Sequence, residues 1–147
     1  MNTHMEIIIH TDGGARGNPG PAAIGVVIQK ITGAGKLETV VEFGKKIGEC
    51  TNNVAEYLAV IEALTFLKKH PIDENKKYSI TFFLDSLLVV NQINGIFKVK
   101  EAHLRELLMR IRILQQESGG GVQYISVPRE KNRRADFFVN QALDGVG

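Results

Sequence analysis

Cysteine and tryptophan are the residues that this chain lacks most clearly, since it has one cysteine and no tryptophan. Because Cys50 stands alone, neither an internal disulfide nor a zinc site built on several thiolates can form, and we interpret Cys50 as a small, partly buried structural side chain. No stretch approaches the roughly 18 consecutive apolar residues of a membrane helix. The first five residues also lack the basic region and the long apolar run of a signal peptide. We therefore expect no membrane association and, by default, a cytoplasmic location.

Charge of one sign is not in large excess either. The formal net charge is +2 and the pI is near 8.7, which permits a nucleic-acid partner without indicating one. The basic side chains nevertheless concentrate in two stretches of the chain. The first holds Lys98, Lys100, Arg105, Arg110 and Arg112, and the second holds Arg129, Lys131, Arg133 and Arg134. A solvated helix face explains the first stretch equally well.

The length of 147 residues and the hydrophobic fraction of 44% are typical of one globular domain, spanning residues 1–147. The hydrophobic pattern predicts strands at 7–9, 23–29, 37–43, 78–84 and 122–127 and helices at 53–69, 86–93, 101–116 and 132–143. The predicted order is βββαβααβα. Short turns favour an antiparallel meander for the first three strands, whereas strands separated by helices pair in parallel. We therefore predict an α/β fold with a five-stranded mixed sheet flanked by helices, whose first strand belongs to both portions.

Two aspartates follow predicted strands of this sheet. Asp12 comes after the first strand and Asp85 directly after the fourth. If these strands are parallel neighbours, both carboxylates emerge at the carboxyl edge, where open α/β sheets bind ligands. Taken singly, each aspartate is also explained as a turn or helix-capping residue.

Two further acids lie near predicted helix starts. Glu56 ends the segment 53–56, which fits a capping box. It also heads the apolar stripe of the helix 53–69, where a carboxylate is unfavourable unless a cation compensates it. Asp136 lies in the first turns of the last helix, where negative charge interacts favourably with the helix dipole. The residues alone leave both alternatives open.

Four segments together resemble type 1 ribonuclease H. The segment 11–21, TDGGARGNPGP, resembles the first motif of that family, and the segment 51–56, TNNVAE, is similar to the second. Asp85-Ser86 after a strand resembles the third motif, and the segment 132–136, NRRAD, resembles the fourth. The resemblance covers essentially the whole chain in the order and spacing of the family. It implies the same five-stranded mixed sheet and a ribonuclease H activity.

The resemblance implies that Asp12, Glu56, Asp85 and Asp136 are the catalytic and metal-binding carboxylates. Four such groups in one place repel each other, and hard divalent cations relieve that repulsion. Mg²⁺ suits carboxylates and substrate phosphate, with Mn²⁺ as its substitute. Two ions would then support endonucleolytic hydrolysis of the RNA strand of an RNA–DNA hybrid, leaving 5′-phosphate and 3′-hydroxyl ends.

The resemblance also implies which residues contact the hybrid. The first two motifs read the 2′-hydroxyls that distinguish RNA from DNA, a residue after the third motif contacts bases, and a small pocket takes a DNA-strand phosphate. The 2′-hydroxyl contacts map to Gly13, Gly14, Ala15, Asn52 and Asn53, the base contact to Gln92, and the phosphate pocket to Asn18 and Thr51. A simple turn between strands remains the alternative explanation for residues 17–20.

The chain departs from the family at two places. Many members carry a mobile histidine before the last helix, but the segment 126–132 has none. Arg129 is our candidate substitute, able to bind the scissile phosphate although a guanidinium group does not take part in proton transfer. Some members also have a basic, tryptophan-containing protrusion, which is reduced here to residues 95–100, so Lys98 and Lys100 would have to supply that contact.

Other functions remain as alternatives. A non-catalytic module could keep the hybrid-binding groove, although the presence of all four acids disfavours it. A nuclease of the same fold could also act on double-stranded RNA, since the A-form shape is shared. A dinucleotide-binding oxidoreductase is disfavoured because the glycine-rich turn after the first strand leads into another strand, where a helix is required. We expect a monomer in each case.

Overall fold

The computed structural model describes residues 4–73, 77–118 and 121–145. The strands are β1 (His4–Ala15), β2 (Gly20–Ile31), β3 (Leu37–Cys50), β4 (Lys77–Leu84) and β5 (Gly121–Ser126), and the helices are α1 (Asn52–Lys69), α2 (Leu87–Ile93), α3 (Ala102–Glu117) and α4 (Arg133–Leu143). A one-turn 3₁₀ helix, Arg129–Lys131, precedes α4. The strands form one sheet in the order β3-β2-β1-β4-β5. β1, β2 and β3 pair antiparallel, and β1, β4 and β5 pair in parallel, which confirms the predicted mixed sheet.

The two faces of the sheet are covered by different helices. Ile7 and Ile9 of β1 point into the main core, which α1 and α3 close from one side. Val27 of β2 has the opposite orientation and packs with Ala135 and Phe138 of α4. α4 approaches the strands closely, because a methyl group on Gly25 of β2 would collide with the carbonyl oxygen of Ala135. The first residues of α4 are thereby fixed beside the centre of the sheet.

β1 is longer than the sequence pattern predicts, and this changes the position of Asp12. The parallel ladder between β1 and β4 ends at the pair His10 and Phe83. The antiparallel ladder with β2 continues to Ala15, so β1 includes both glycines that the sequence analysis placed in a turn. The prediction that Asp12 comes at the end of the first strand is therefore wrong, because Asp12 lies inside β1. It lies just past the parallel ladder, held from one side by β2, while Asp85 directly follows β4.

α1 begins earlier than predicted, and the predicted capping box does not form. Thr51 is the N-cap residue, and its hydroxyl accepts a hydrogen bond from the backbone N–H of Val54 at 3.2 Å. Asn53 is therefore inside the helix, and Glu56 is too far from the cap to reach back to it. Its side chain is free to point toward β1 instead. Within the described residues, no helix is long and apolar enough to cross a membrane.

Candidate metal and nucleic-acid site

Three carboxylates from separate elements meet at one edge of the sheet. One oxygen each from Asp12 of β1, Glu56 of α1 and Asp85 after β4 lie within 4.8 Å of one another. Asp12 and Glu56 are only 7% and 6% exposed. They line a pocket of about 470 Å³ that Asp136 also borders. A set of oxygen donors of this kind is what Mg²⁺, Ca²⁺ or Mn²⁺ prefers.

Glu56 is placed by the close approach of α1 to β1. The backbone N–H of Gly13 donates to Oε1 of Glu56 at 3.2 Å. A methyl group on Gly13 would collide with the backbone of Ala55, so this contact requires a glycine. The second oxygen, Oε2, is buried and has no hydrogen-bond partner among the described residues. A buried acceptor without a donor is unfavourable unless another group, such as a cation, satisfies it.

The pKa values of the three carboxyl groups are raised, which also indicates that their ionised forms are unfavourable in this buried cluster. Burial raises the pKa of Asp12 to about 7, with the side chain of Glu56 opposing the shift and the charges of Asp85 and Asp136 adding to it. Burial raises the pKa of Glu56 well above its usual range, and the neighbouring Asp12 reinforces the effect. Burial also raises the pKa of Asp85, although the charge of Arg129 acts against the shift. A bound cation would favour the ionised form of all three carboxylates.

Asp136 completes the acidic border of the pocket. It lies in the first turn of α4, and its backbone N–H donates to the carbonyl of Asn132 at 3.2 Å. Its carboxyl group is within hydrogen-bonding reach of Asp12. It is not part of the group of three oxygens within 4.8 Å, and its charge raises the pKa of both Asp12 and Asp85.

Asn132 is a residue at this site to which the sequence analysis gave no role. It is 1% exposed, and its Nδ2 donates to the carbonyl of Thr11 at 2.9 Å. The same side chain hydrogen-bonds Asp85 and thereby lowers the pKa of that carboxyl. Asn132 thus links the backbone beside Asp12, the carboxylate of Asp85 and the first turn of α4. Its place in the segment 132–136 was the available signal, but an asparagine before a helix is usually explained as a cap.

The predicted substrate-binding residues of the first two motifs lie along the same pocket. Gly13, Gly14, Ala15, Asn52 and Asn53 all line it, as does Arg129 from the 3₁₀ helix. Oδ1 of Asn52 accepts from the backbone N–H of Ala15 at 2.8 Å. This hydrogen bond joins the end of β1 to the start of α1, so the residues of the two motifs form one continuous surface.

Three predicted substrate-binding residues do not line the pocket. Oδ1 of Asn18 accepts from the backbone N–H of Asn52 at 2.9 Å, and the hydroxyl of Thr51 caps α1. Gln92 is 9% exposed, and its Oε1 accepts from the hydroxyl of Tyr57 at 2.7 Å. Their roles in binding a DNA-strand phosphate and a base stay predictions.

The combined features define a class of protein. A mixed sheet in the order β3-β2-β1-β4-β5 carries an acidic centre beside the ends of its parallel strands, with backbone and amide groups along one side and an arginine on another. That is the arrangement of a ribonuclease H-like fold with a metal-type carboxylate site.

Known proteins share this arrangement. A family model described as reverse transcriptase-like matches residues 10–142. A bifunctional protein of Mycobacterium tuberculosis is 37% identical over 145 residues, which are 97% of this chain and 36% of that protein. Ribonuclease HI of Halobacterium salinarum is 40% identical over 134 residues, which are 90% of this chain and 62% of that protein. The crystal structure of LC11-RNase H1 in complex with an RNA/DNA hybrid has a TM-score of 0.84 at 46% identity, over 95% of this chain and 97% of that one.

The chain belongs to the type 1 ribonuclease H family. It spans about a third of the length of the mycobacterial relative and less than two thirds of the halobacterial one. The match to LC11-RNase H1 extends over nearly the whole of both chains, and the fold predicted from the sequence agrees with it.

Proposed function

We propose that this chain is a metal-dependent endoribonuclease that hydrolyses the RNA strand of RNA–DNA hybrids. The observation that carries the proposal is the group of three carboxylates within 4.8 Å of one another, one of which keeps a buried oxygen without a partner. Because proteins that share a fold can differ in function, the carboxylate site and the named relatives support the activity together. The similarity to ribonuclease HI of Halobacterium salinarum supports a ribonuclease H activity. The similarity to LC11-RNase H1, whose structure contains an RNA/DNA hybrid, supports an RNA–DNA hybrid as the substrate.

The residues present fit a divalent cation. Asp12, Glu56 and Asp85 supply oxygen atoms only, and their raised pKa values mean that the site without a cation favours partial protonation. Asp136, beside Asp12, would hold a second ion with it. Bound Mg²⁺, with Mn²⁺ as a substitute, would lower the pKa of a water molecule and stabilise charge on the phosphate. We propose two ions, and products with a 5′-phosphate and a 3′-hydroxyl.

The residues of the chain would orient the hybrid around this centre. The loop between β1 and β2 and the start of α1 are hydrogen-bonded to each other through Asn52. The Nδ2 group of Asn52 can donate to a 2′-hydroxyl, and the small side chains of Gly13, Gly14 and Ala15 allow a sugar-phosphate backbone to approach closely. This surface would select the strand that has 2′-hydroxyl groups.

Arg129 is our proposed phosphate-binding residue. It lines the carboxylate pocket, and its charge acts on the pKa of Asp85, so the two groups are electrostatically close. Its guanidinium forms no ion pair within the described part of the chain, so its donors are available to a phosphate oxygen. It would stabilise developing negative charge during cleavage.

One experiment tests the function and its alternatives together. The purified chain is incubated with labelled RNA–DNA hybrid, double-stranded RNA, single-stranded RNA and duplex DNA, with Mg²⁺, with Mn²⁺ and with a chelator. We expect metal-dependent cleavage of the RNA strand in the hybrid, and none by Asp85→Asn at equal concentration. Equal rates on hybrid and double-stranded RNA would broaden the substrate class, because both duplexes share an A-like shape. Hybrid binding without cleavage under any metal would contradict the catalytic proposal and favour the binding module.

A further inference from the structure

A second groove continues from the carboxylate pocket along α4. Arg129, Asp136 and Asn140 border both openings, so the two are contiguous. Beyond these shared residues, the second groove is lined by Glu130, Arg133 and Phe137. Arg133 lies in the segment 132–136 and Phe137 directly follows it, but the proposed function gives neither residue a role. A strand that passes over the carboxylates can therefore continue along a surface whose use the proposed chemistry does not explain.

Phe137 is an exposed aromatic ring at the floor of this groove. It is 47% exposed, whereas its neighbour Phe138 is 9% exposed and packs against the sheet. The guanidinium of Arg134 lies 5.1 Å from the centre of the Phe137 ring and 4.8 Å from that of Phe138. Arg134 is itself held by Glu42 of β3 through contacts of 2.7 and 3.1 Å. The ring is thus supported from one side and open on the other.

The charges around the ring suit a phosphodiester chain. Glu42 neutralises Arg134, but the guanidinium groups of Arg129 and Arg133 make no ion pair or hydrogen bond with any residue in the described ranges. Both side chains are exposed. Two free arginines beside an open aromatic face combine phosphate contacts with base stacking, which is how proteins bind single-stranded nucleic acid. Two acids also line the groove: Asp136 is committed to the metal site under the proposed function, and Glu130 is exposed and forms no ion pair with either arginine in the described part of the chain.

We propose that this groove binds an unpaired continuation of the scissile strand next to the cleavage point. The inference rests on the proposed function, because it takes the carboxylate pocket to be the point of cleavage. A base pair inside a duplex is stacked on both faces, so along a continuing strand Phe137 can stack only on a base that has left the duplex. Arg133 would contact the phosphate of that nucleotide. The enzyme would then prefer hybrids at a junction where the RNA strand becomes single.

The test compares a blunt RNA–DNA hybrid with hybrids of the same duplex that carry a single-stranded RNA tail of about six nucleotides at the 5′ or the 3′ end. Affinity is measured by fluorescence anisotropy in chelator, so the readout does not depend on cleavage. We expect wild type to bind one of the tailed hybrids roughly tenfold more tightly than the blunt one, as stacking of one base and one phosphate contact imply. Pairing the tail with complementary DNA should remove the gain.

Matched variants separate the groove from general charge and hydrophobicity. Phe137→Ala should abolish the gain from the tail while leaving blunt-hybrid affinity within about twofold, and Phe137→Tyr should retain it. Arg133→Ala should reduce the gain and lower the salt dependence of tailed-hybrid binding by about one counterion. Lys36→Ala and Leu37→Ala at the turn between β2 and β3 serve as controls and should change neither affinity, because Leu37 is 51% exposed, close to the value of Phe137, and both residues lie at the other end of β2 from the carboxylates.

The outcomes distinguish this proposal from the proposed function. A tail-dependent gain that needs Phe137 in a protein that cleaves nothing would support the groove and contradict the nuclease assignment. Metal-dependent cleavage with no gain from either tail would leave the nuclease in place and overturn the groove. An equal loss of blunt and tailed affinity in Phe137→Ala, with unchanged thermal melting, would also overturn it. A gain that survives in Phe137→Ala would show that the tail binds elsewhere.

Discussion

Replacement of Asp12 by asparagine should abolish cleavage and, without metal, make the protein more stable. Burial and neighbouring charges raise the pKa of this carboxyl from its ordinary 3.8 to about 7. Between those two values the folded protein binds more protons than the unfolded chain, so stability falls as pH rises through this window and stays low above it. At about 1.4 kcal/mol per unit of pKa, ionised Asp12 reduces the free energy of unfolding by up to roughly 4 kcal/mol. Asparagine keeps the shape and removes that charge.

The assay is thermal unfolding of wild type and Asp12→Asn in chelator, at about pH 4 and about pH 8, beside a hybrid-cleavage assay. We expect the melting temperature of the variant to exceed that of wild type by roughly 5 °C or more at the higher pH, and the difference to shrink at the lower pH. Added Mg²⁺ should raise the melting temperature of wild type more than that of the variant, because a ligand of the folded state stabilises it. A variant less stable than wild type at the higher pH, or one that still cleaves, would refute the reasoning.

Three further changes test the surroundings of the acidic centre. Arg129→Ala should reduce turnover of a blunt hybrid at least tenfold with little change in affinity. Arg129→Lys should restore turnover only in part, because the compact charge of a lysine cannot replace the planar guanidinium group. Steady-state kinetics at saturating metal would measure this, and unchanged turnover in Arg129→Ala would show that Arg129 has no part in the chemistry. Asn52→Ala should raise the Michaelis constant for the hybrid and leave Mg²⁺ affinity measured by calorimetry unchanged, whereas an unchanged Michaelis constant would argue against a contact with the RNA strand. Asn132→Ala should remove a hydrogen bond that lowers the pKa of Asp85, so the acid limb of the pH–rate profile should move to higher pH; a limb that stays in place would assign Asn132 to the fold alone.

The sequence was sufficient to predict the topology of the sheet because its signals are local and repeated. Alternating or β-branched runs, short turns and helix-length segments define the order βββαβααβα, and the rules for parallel and antiparallel pairing then leave few arrangements. The antiparallel pairing of β1 with β2 follows from these signals, and the parallel pairing of β1 with β4 agrees with the prediction that the first strand belongs to both portions of the sheet. The ends of the elements were less predictable. Gly13 and Gly14 suggest a turn locally, but pairing with Ile24 and Ala23 of β2 holds them in a strand.

The ambiguity of Glu56 shows why a site is harder to predict than a fold. Within the segment 53–56, the capping box is a complete local explanation. It is wrong because Thr51 caps the helix and because Gly13, which is 43 residues away in sequence, donates to the carboxylate instead. The role of Asn132 depends in the same way on its contact with Thr11, at a separation of 121 residues. Contacts of that range carry no local signal, so only a motif or a structure can reveal them.

The acidic centre is held in place by contacts with uncharged groups. Glu56 is fixed by a backbone N–H of β1, and the end of β1 is fixed by the side-chain amide of Asn52. The start of α4, with Asp136, is fixed by Asn132 and by the close packing of Ala135 on Gly25. Because these backbone, amide and packing contacts carry no charge of their own, we expect them to hold the acids together in spite of the repulsion between the carboxylates. That repulsion can be relieved by protons or by cations, and at neutral pH a divalent cation is the more effective of the two. We therefore expect this neutral frame, and not the number of acids alone, to favour a bound cation at the proposed metal site.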